Sequence, residues 1–85
     1  MDYIILNHSI KKKDENGRIL AEITFPENTP GVFTIDRTYV CDDLRGENVQ
    51  EELVKMAIAK IREQGGKVEA TCPYASGWIK RFYRG

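Results

Sequence analysis

The sequence has no excess of charge of either sign. Thirteen Lys and Arg balance thirteen Asp and Glu in a chain of 85 residues. A neutral chain gives no general argument for nucleic-acid or membrane binding, so neither partner is expected. The lysines bunch at Lys11, Lys12 and Lys13, but Asp14 and Glu15 follow at once, which reads as a solvated hairpin tip. Metal-ligating residues are scarce. His8 stands alone, Cys41 and Cys72 lie far apart, and there is no CxxC. A zinc site needs more ligands than these, so no metal centre is expected. Long apolar runs are missing too, which leaves no candidate membrane span. The opening MDYIILNHSI lacks the basic start and apolar core of a signal peptide. The two cysteines could form one disulfide. Without a secretory signal, the expectation is a cytoplasmic protein with reduced thiols.

What is present suits one small domain spanning residues 1–85. A chain this short buries roughly 60–65% of the surface that it exposes when unfolded. That is enough for one sheet with one or two helices. No internal repeat, low-complexity segment or linker divides it.

The first half reads as strands. Asn16-Gly17 predicts a type I′ turn, because both central positions of that turn need positive φ. It would join a strand near 3–12 to one near 18–25. In the second, Ile19, Ala21, Ile23 and Phe25 alternate with Leu20, Glu22 and Thr24, as in a half-buried antiparallel strand. Two prolines and a glycine make PENTPG (26–31) a loop. VFTIDRTYV (32–40) is β-branched and aromatic, hence a third strand. Its alternation slips at Arg37, which a β-bulge around 36–38 would explain.

The clearest element is a helix. Val49, Leu53, Val54, Ala57, Ile58 and Ile61 form one apolar stripe at helical spacing. Asn48 is a good N-cap residue, with Glu51 three positions on. Gln64-Gly65-Gly66 ends the helix, a glycine supplying the left-handed position. KVEATC (67–72) is a short strand with Val68, Ala70 and Cys72 on one face, stopped by Pro73. Trp78, Ile79 and Phe82 suggest a short terminal helix with Trp78 and Phe82 in the core, weakened by Gly77. The fold class is therefore α+β: a mixed sheet of order β-β-β-α-β-α. A right-handed crossover makes the β-α-β unit from Val32 to Cys72 parallel.

DDLRGENVQEELV (42–54) followed by KVEATCPYASGWIKR (67–81) resembles the short members of the GCN5-related N-acetyltransferase (GNAT) superfamily. These carry a strand ending in Val, an RGxGxG-type turn, an amphipathic helix, and a strand ending in Cys, then Pro or Ser and an aromatic. The resemblance implies a fold that binds acetyl-CoA. The pyrophosphate would sit on backbone N–H groups of Arg45, Gly46, Glu47, Asn48, Val49 and Gln50, where unpaired donors meet the positive end of the helix dipole. Pantetheine would lie between two parallel strands that splay apart, near Tyr39, Val40 and Cys41 on one side and Cys72 and Tyr74 on the other. Asn48 and Gln50 depart from the pattern, because they stand where the family has small residues. Arg37 stands where a histidine is often found.

The same resemblance implies acetyl transfer to an amine on a small molecule, peptide or protein, by a monomer or homodimer. Cys72 reads as a small buried thiol or as a contact to the thioester, even an acyl carrier. Tyr74 reads equally as a core aromatic or as the proton donor to the leaving thiolate. His8 reads as a surface residue, and Arg45 as a phosphate partner or a solvated charge. A non-catalytic module that binds CoA or another protein is the alternative, favoured by the acidic helix start.

Overall fold

The computed structural model describes residues 3–44, 46 and 48–82. In chain order the described elements are β1 (Tyr3–Ile5), β2 (Ser9–Lys13), β3 (Ile19–Thr24), β4 (Glu27–Thr29), β5 (Val32–Ile35), β6 (Arg37–Val40), a 3-10 turn (Asp42–Leu44), α1 (Val49–Glu63), β7 (Lys67–Ala70) and α2 (Pro73–Phe82). The strands form two sheets, ordered β1-β2-β3-β6 and β4-β5-β7. The first is antiparallel throughout, and in the second β5 and β7 run parallel. The α+β class and the parallel unit match the sequence reading. The single mixed sheet divides in two.

The division falls where the alternation slips. β5 and β6 are one strand interrupted at Asp36, and each half belongs to a different sheet. The Asp36 amide donates to the Thr24 carbonyl, and the Thr24 hydroxyl donates to the Asp36 carboxylate. This reciprocal pair ties the crossing point to the end of β3. What resembles a bulge in the sequence is a change of sheet, and Arg37 and Asp36 point to water because neither half covers them.

Three turns differ from expectation. The strand foreseen over 3–12 folds back on itself, so Tyr3 lies opposite Lys12. The Leu6 amide donates to the Ser9 carbonyl and closes that bend. Ile4, Ile5 and Leu6 are all apolar, so no alternation marked the reversal. The next hairpin is not type I′. Gly17 has φ 86, but Asn16 is not among the residues with positive φ. Asp14 explains this. Its carboxylate accepts the amides of Asn16 and Arg18, and its carbonyl accepts that of Gly17. The result is a three-residue loop, a turn followed by a left-handed glycine. Finally, half of the PENTPG segment is strand. β4 pairs with β5, leaving Pro30 and Gly31 (φ 81) as the turn, as a type II turn requires. Pro26 fits an edge strand because it lacks only a donor, and its carbonyl accepts the Thr34 amide.

Helix α1 lies over β2, β3, β6 and β7, and α2 packs on β7 and α1. All six stripe residues of α1 are buried, against Ile10, Ala21, Ile23, Phe25, Phe33 and Ile35 of the sheets. Burying such side chains contributes roughly 1.5–3 kcal/mol each relative to exposure. Gly65 (φ 75) is left-handed, its amide bonds to Arg62, and the Gly66 amide bonds to Ile61. That is a Schellman ending. Of the two terminal aromatics expected in the core, Trp78 is half-buried and Phe82 is 59% exposed. Phe82 sits in the last turn of α2, past the end of β7, and so has no sheet to cover it.

Candidate functional site

Since β5 pairs with β7 and β6 pairs only with β3, no ladder joins β6 to β7 among the described residues. The two parallel strands therefore part beyond Ile35. A cavity of about 550 Å³ opens there. Thr38, Tyr39 and Val40 of β6 form one wall, and Leu44 and Gly46 come from the connection. Asn48, Val49, Gln50 and Glu51 bring in the start of α1, and Tyr74 closes the far side.

The helix start differs from the expected cap. Asn48 stands at the N-cap position with φ 60 and ψ 19, and its side chain makes no capping hydrogen bond. It is the one non-glycine residue with positive φ among the described residues. Asn tolerates that region better than most side chains do. Gly46 is also left-handed, with φ 87. The first N–H groups of an α-helix have no intrahelical partner. Here the Asn48 side chain does not occupy them either, and Asn48, Val49, Gln50 and Glu51 border the cavity.

The Gln50 side chain turns away from the helix start. Its Nε2 donates to Thr38 Oγ1 at 2.9 Å, and Thr38 Oγ1 lies 3.3 Å from Cys72 Sγ. Gln50 can only donate through that nitrogen, so the Thr38 hydroxyl keeps its own proton for the sulfur whenever Cys72 is ionised. Cys72 immediately precedes α2, and its carbonyl accepts the Ser76 amide. Partial burial raises the Cys72 thiol. Hydrogen bonds from the Ala75 amide, the Thr38 hydroxyl and the backbone of Tyr74 and Thr38 together outweigh it, and the thiol ends below the ordinary cysteine value. Donors to the charged form favour that form.

Tyr74 is 38% exposed. Burial first, and the Glu51 carboxylate second, raise its phenol, so it keeps its proton at neutral pH. Glu51 pairs with Lys55 at 3.1 Å. The Glu52 carboxylate accepts the Tyr3 hydroxyl instead of facing the helix start.

The sequence-predicted residues thus divide. Tyr39, Val40, Gly46, Asn48, Val49, Gln50 and Tyr74 border one cavity. Cys72 is set behind it, joined through Thr38. Cys41 does not line the cavity. It is 3% exposed and its amide is used by the Leu20 carbonyl. Arg45 and Glu47 lie outside the described residues. His8 is exposed and stacks on Phe33 at 5.6 Å, away from the cleft. Thr38, Leu44 and Glu51 were missed. Thr38 sits one residue before Tyr39, and only the strand partition shows that it faces Cys72. Among the described residues no group of His, Cys, Asp or Glu could hold a metal ion. No described helix is long and apolar enough to cross a membrane.

The site is thus two parallel strands that part over an uncapped helix start. A family model described as GCN5-related N-acetyl-transferase matches residues 9–83, and the chain belongs to that family. The family and the fold support an acetyl-transfer role. An NMR structure of a GCN5-like protein from Staphylococcus aureus is 28% identical, with a TM-score of 0.76, over 94% of this chain and 78% of its own. A Trypanosoma brucei acetyltransferase shares 23% identity with a TM-score of 0.64 over 91% of this chain. A ribosomal-protein-alanine N-acetyltransferase from Brucella melitensis shares 18% with a TM-score of 0.62, also over 91%. This chain spans 61% and 62% of the lengths of those two, and they speak for the fold alone. No curated protein matches the sequence.

Proposed function

We propose that this domain, spanning residues 1–85, is a cytoplasmic N-acetyltransferase that moves an acetyl group from acetyl-CoA to an amine. The observation that carries this reading is the uncapped start of α1 bordering the cleft between β6 and β7. Phosphate oxygens complement unpaired N–H groups and the positive helix end. In this reading Gly46, Asn48, Val49 and Gln50 supply those donors, and Arg45 and Glu47 are proposed with them from the sequence. Tyr39, Val40 and Tyr74 line the run for pantetheine. This use of Asn48 and Gln50 needs no small residues. Asn48 is turned left-handed, and the Gln50 side chain is held by Thr38.

In this reading Tyr74, which borders the cavity and is protonated at neutral pH, gives its proton to the CoA thiolate as the C–S bond breaks. Cys72 stands behind the cavity wall, joined to it through Thr38, with donors from Thr38 and the start of α2 favouring its thiolate. Transfer by way of an acetyl-cysteine is the variant of this reading that Cys72→Ser tests. The domain acts as a monomer or a homodimer. A non-catalytic CoA-binding or protein-interaction module is the second reading. It is favoured by Glu51 in the cleft wall, which opposes an anionic ligand.

Thermal unfolding with millimolar acetyl-CoA tests the proposal. A ligand at 100 times its Kd stabilises by about 2.7 kcal/mol. The expected result is a clear rise in Tm and mass-detected acetylation of an amine panel. No shift and no transfer would refute the enzyme. A shift without transfer supports the second reading. Cys72→Ser with turnover intact would leave direct transfer and remove the acyl carrier.

A further inference from the structure

Among the described strand edges, that of β1 alone is left unguarded. Proteins commonly shield an edge strand with charge, proline or a covering element. β4 carries Glu27 and lies between Pro26 and Pro30. The free edges of β6 and β7 face the cleft between them. β1 ends the first sheet and pairs with β2 on one side only. Its Ile4 and Ile5, with Leu6 after them, are 42%, 52% and 48% exposed, three large apolar side chains in succession. No Lys, Arg, Asp or Glu stands between Tyr3 and Ile10.

The ladder fixes which backbone groups of β1 are free. The Leu6 amide donates to the Ser9 carbonyl, so these two residues are a hydrogen-bonded pair. Such pairs alternate along an antiparallel ladder, which makes Ile4 and Lys11 the next one. The N–H and C=O of Ile5 therefore point away from β2. Side chains alternate as well. The Tyr3 hydroxyl reaches Glu52 of α1, so Tyr3 and Ile5 share the helix face, and Ile4 and Leu6 share the other.

We propose that β1 pairs with β1 of a second copy of this chain, antiparallel across a two-fold axis through Ile5, joining two four-stranded sheets into one. The assignment selects the homodimer and does not rest on acetyl transfer. Self-complementarity decides the occupant. A two-fold axis perpendicular to the sheet keeps every side chain on its own face, so an odd-numbered residue can stand opposite only an odd-numbered one. With the axis at Ile5, each Ile5 amide donates to the carbonyl of the other Ile5. Ile4 then meets Leu6 of the second copy on both sides of the axis. An axis at Ile4 would leave Leu6 without an apolar partner. Charge agrees with this pairing. No like charges are opposed within the strand, and the nearest lysines are engaged: Lys11 pairs with Glu22 at 3.7 Å, and Lys12 lies 5.0 Å from the Tyr3 ring centre. The chain is neutral as a whole, so two copies do not repel. An isologous contact of this kind closes at two. Stable interfaces bury about 800 Å² per partner, more than one short strand edge supplies, so this dimer exchanges with monomer. β6 lies at the far edge of the sheet from β1, which leaves each cleft open.

Light scattering measures the mass from micromolar to millimolar protein. The expected result is a rise from 9.8 kDa toward twice that value. Ile5→Lys sets two ammonium groups opposite each other and should weaken the dimer by at least about tenfold. Ile5 is half-exposed, so the fold is kept, which circular dichroism checks. Cysteine substitution reads the register. Opposed residues of a hydrogen-bonded pair have Cα atoms about 5.5 Å apart, within disulfide reach. Ile5→Cys should therefore cross-link to its own copy with diamide as the oxidant. Leu6→Cys should not, because the two Leu6 positions are offset by about 7 Å along the strands. Wild type on the same gel accounts for Cys41 and Cys72. The mass of one chain at every concentration, a dimer unmoved by Ile5→Lys, or equal cross-linking through Leu6→Cys would overturn the assignment.

Discussion

Gly65 and Gly66 are adjacent, yet substitution should act on them through different physics. Gly65 has φ 75 and open space around it, so alanine there costs backbone strain, about 1–2 kcal/mol. Gly66 does not have positive φ. A Cβ built on it would lie 2.4 Å and 2.5 Å from Phe33 Cδ1 and Cε1, and 3.2 Å from Ile61 Cγ2. Phe33 cannot withdraw easily. It is 3% exposed, sits in β5 opposite Val68 of β7, and carries His8 on its ring. Gly66→Ala must push the ring or separate α1 from β7, and overpacking of this kind costs about 1–3 kcal/mol. For a domain of this size each kcal/mol moves Tm by roughly 4–8 °C. The expected loss is therefore roughly 5–20 °C in a thermal melt followed by circular dichroism. The cleft lies at the other end of β5, so acetyl-CoA affinity at 25 °C should survive. A Gly66→Ala protein that melts within about 0.5 kcal/mol of wild type, the usual range for surface changes, would refute the packing argument.

Two further outcomes follow from the site. Iodoacetamide should alkylate Cys72 well before the buried Cys41, with mass spectrometry locating the adduct. The folded Cys72 lies below its unfolded value, so the stability linked to its thiolate is present above the unfolded value and fades as pH falls through the folded one. Alkylation should persist to lower pH than for a free thiol. Thr38→Val should slow it by roughly three- to tenfold at pH 7, by removing one donor to the thiolate; an unchanged rate would remove Thr38 from the account. Asn48→Thr separates a side-chain cap from a left-handed hinge. Threonine is a good cap, but a β-branched residue at φ 60 should cost about 1–2 kcal/mol in a urea melt, whereas Asn48→Gly should stay within about 0.5 kcal/mol. A tolerated threonine would show that the left-handed backbone is not required.

The sequence by itself determined the elements whose signals are local. The stripe Val49, Leu53, Val54, Ala57, Ile58 and Ile61 is the buried face of α1, because helical spacing alone puts those side chains together. Gly65 ends that helix as its freedom from a Cβ predicts. The motif from Asp42 to Val54, with the strand ending near Cys72, was enough to carry the family and the parallel unit. Tertiary structure decided what depends on partners distant in the chain. A run of apolar residues at Ile4, Ile5 and Leu6 gives no sign of a reversal. Asp36 reads as a slip in alternation, and only its exchange of hydrogen bonds with Thr24 makes it a change of sheet. Asn48 has the right side chain for a cap, but the backbone turns left-handed and leaves the helix donors uncovered. Gln50 looks like an obstacle to phosphate. It is instead a donor to Thr38, twelve residues back, and through Thr38 it reaches Cys72. Spacing along a chain fixes which side chains share a face. Which groups meet across the gap between β6 and β7 is fixed only when the sheets part.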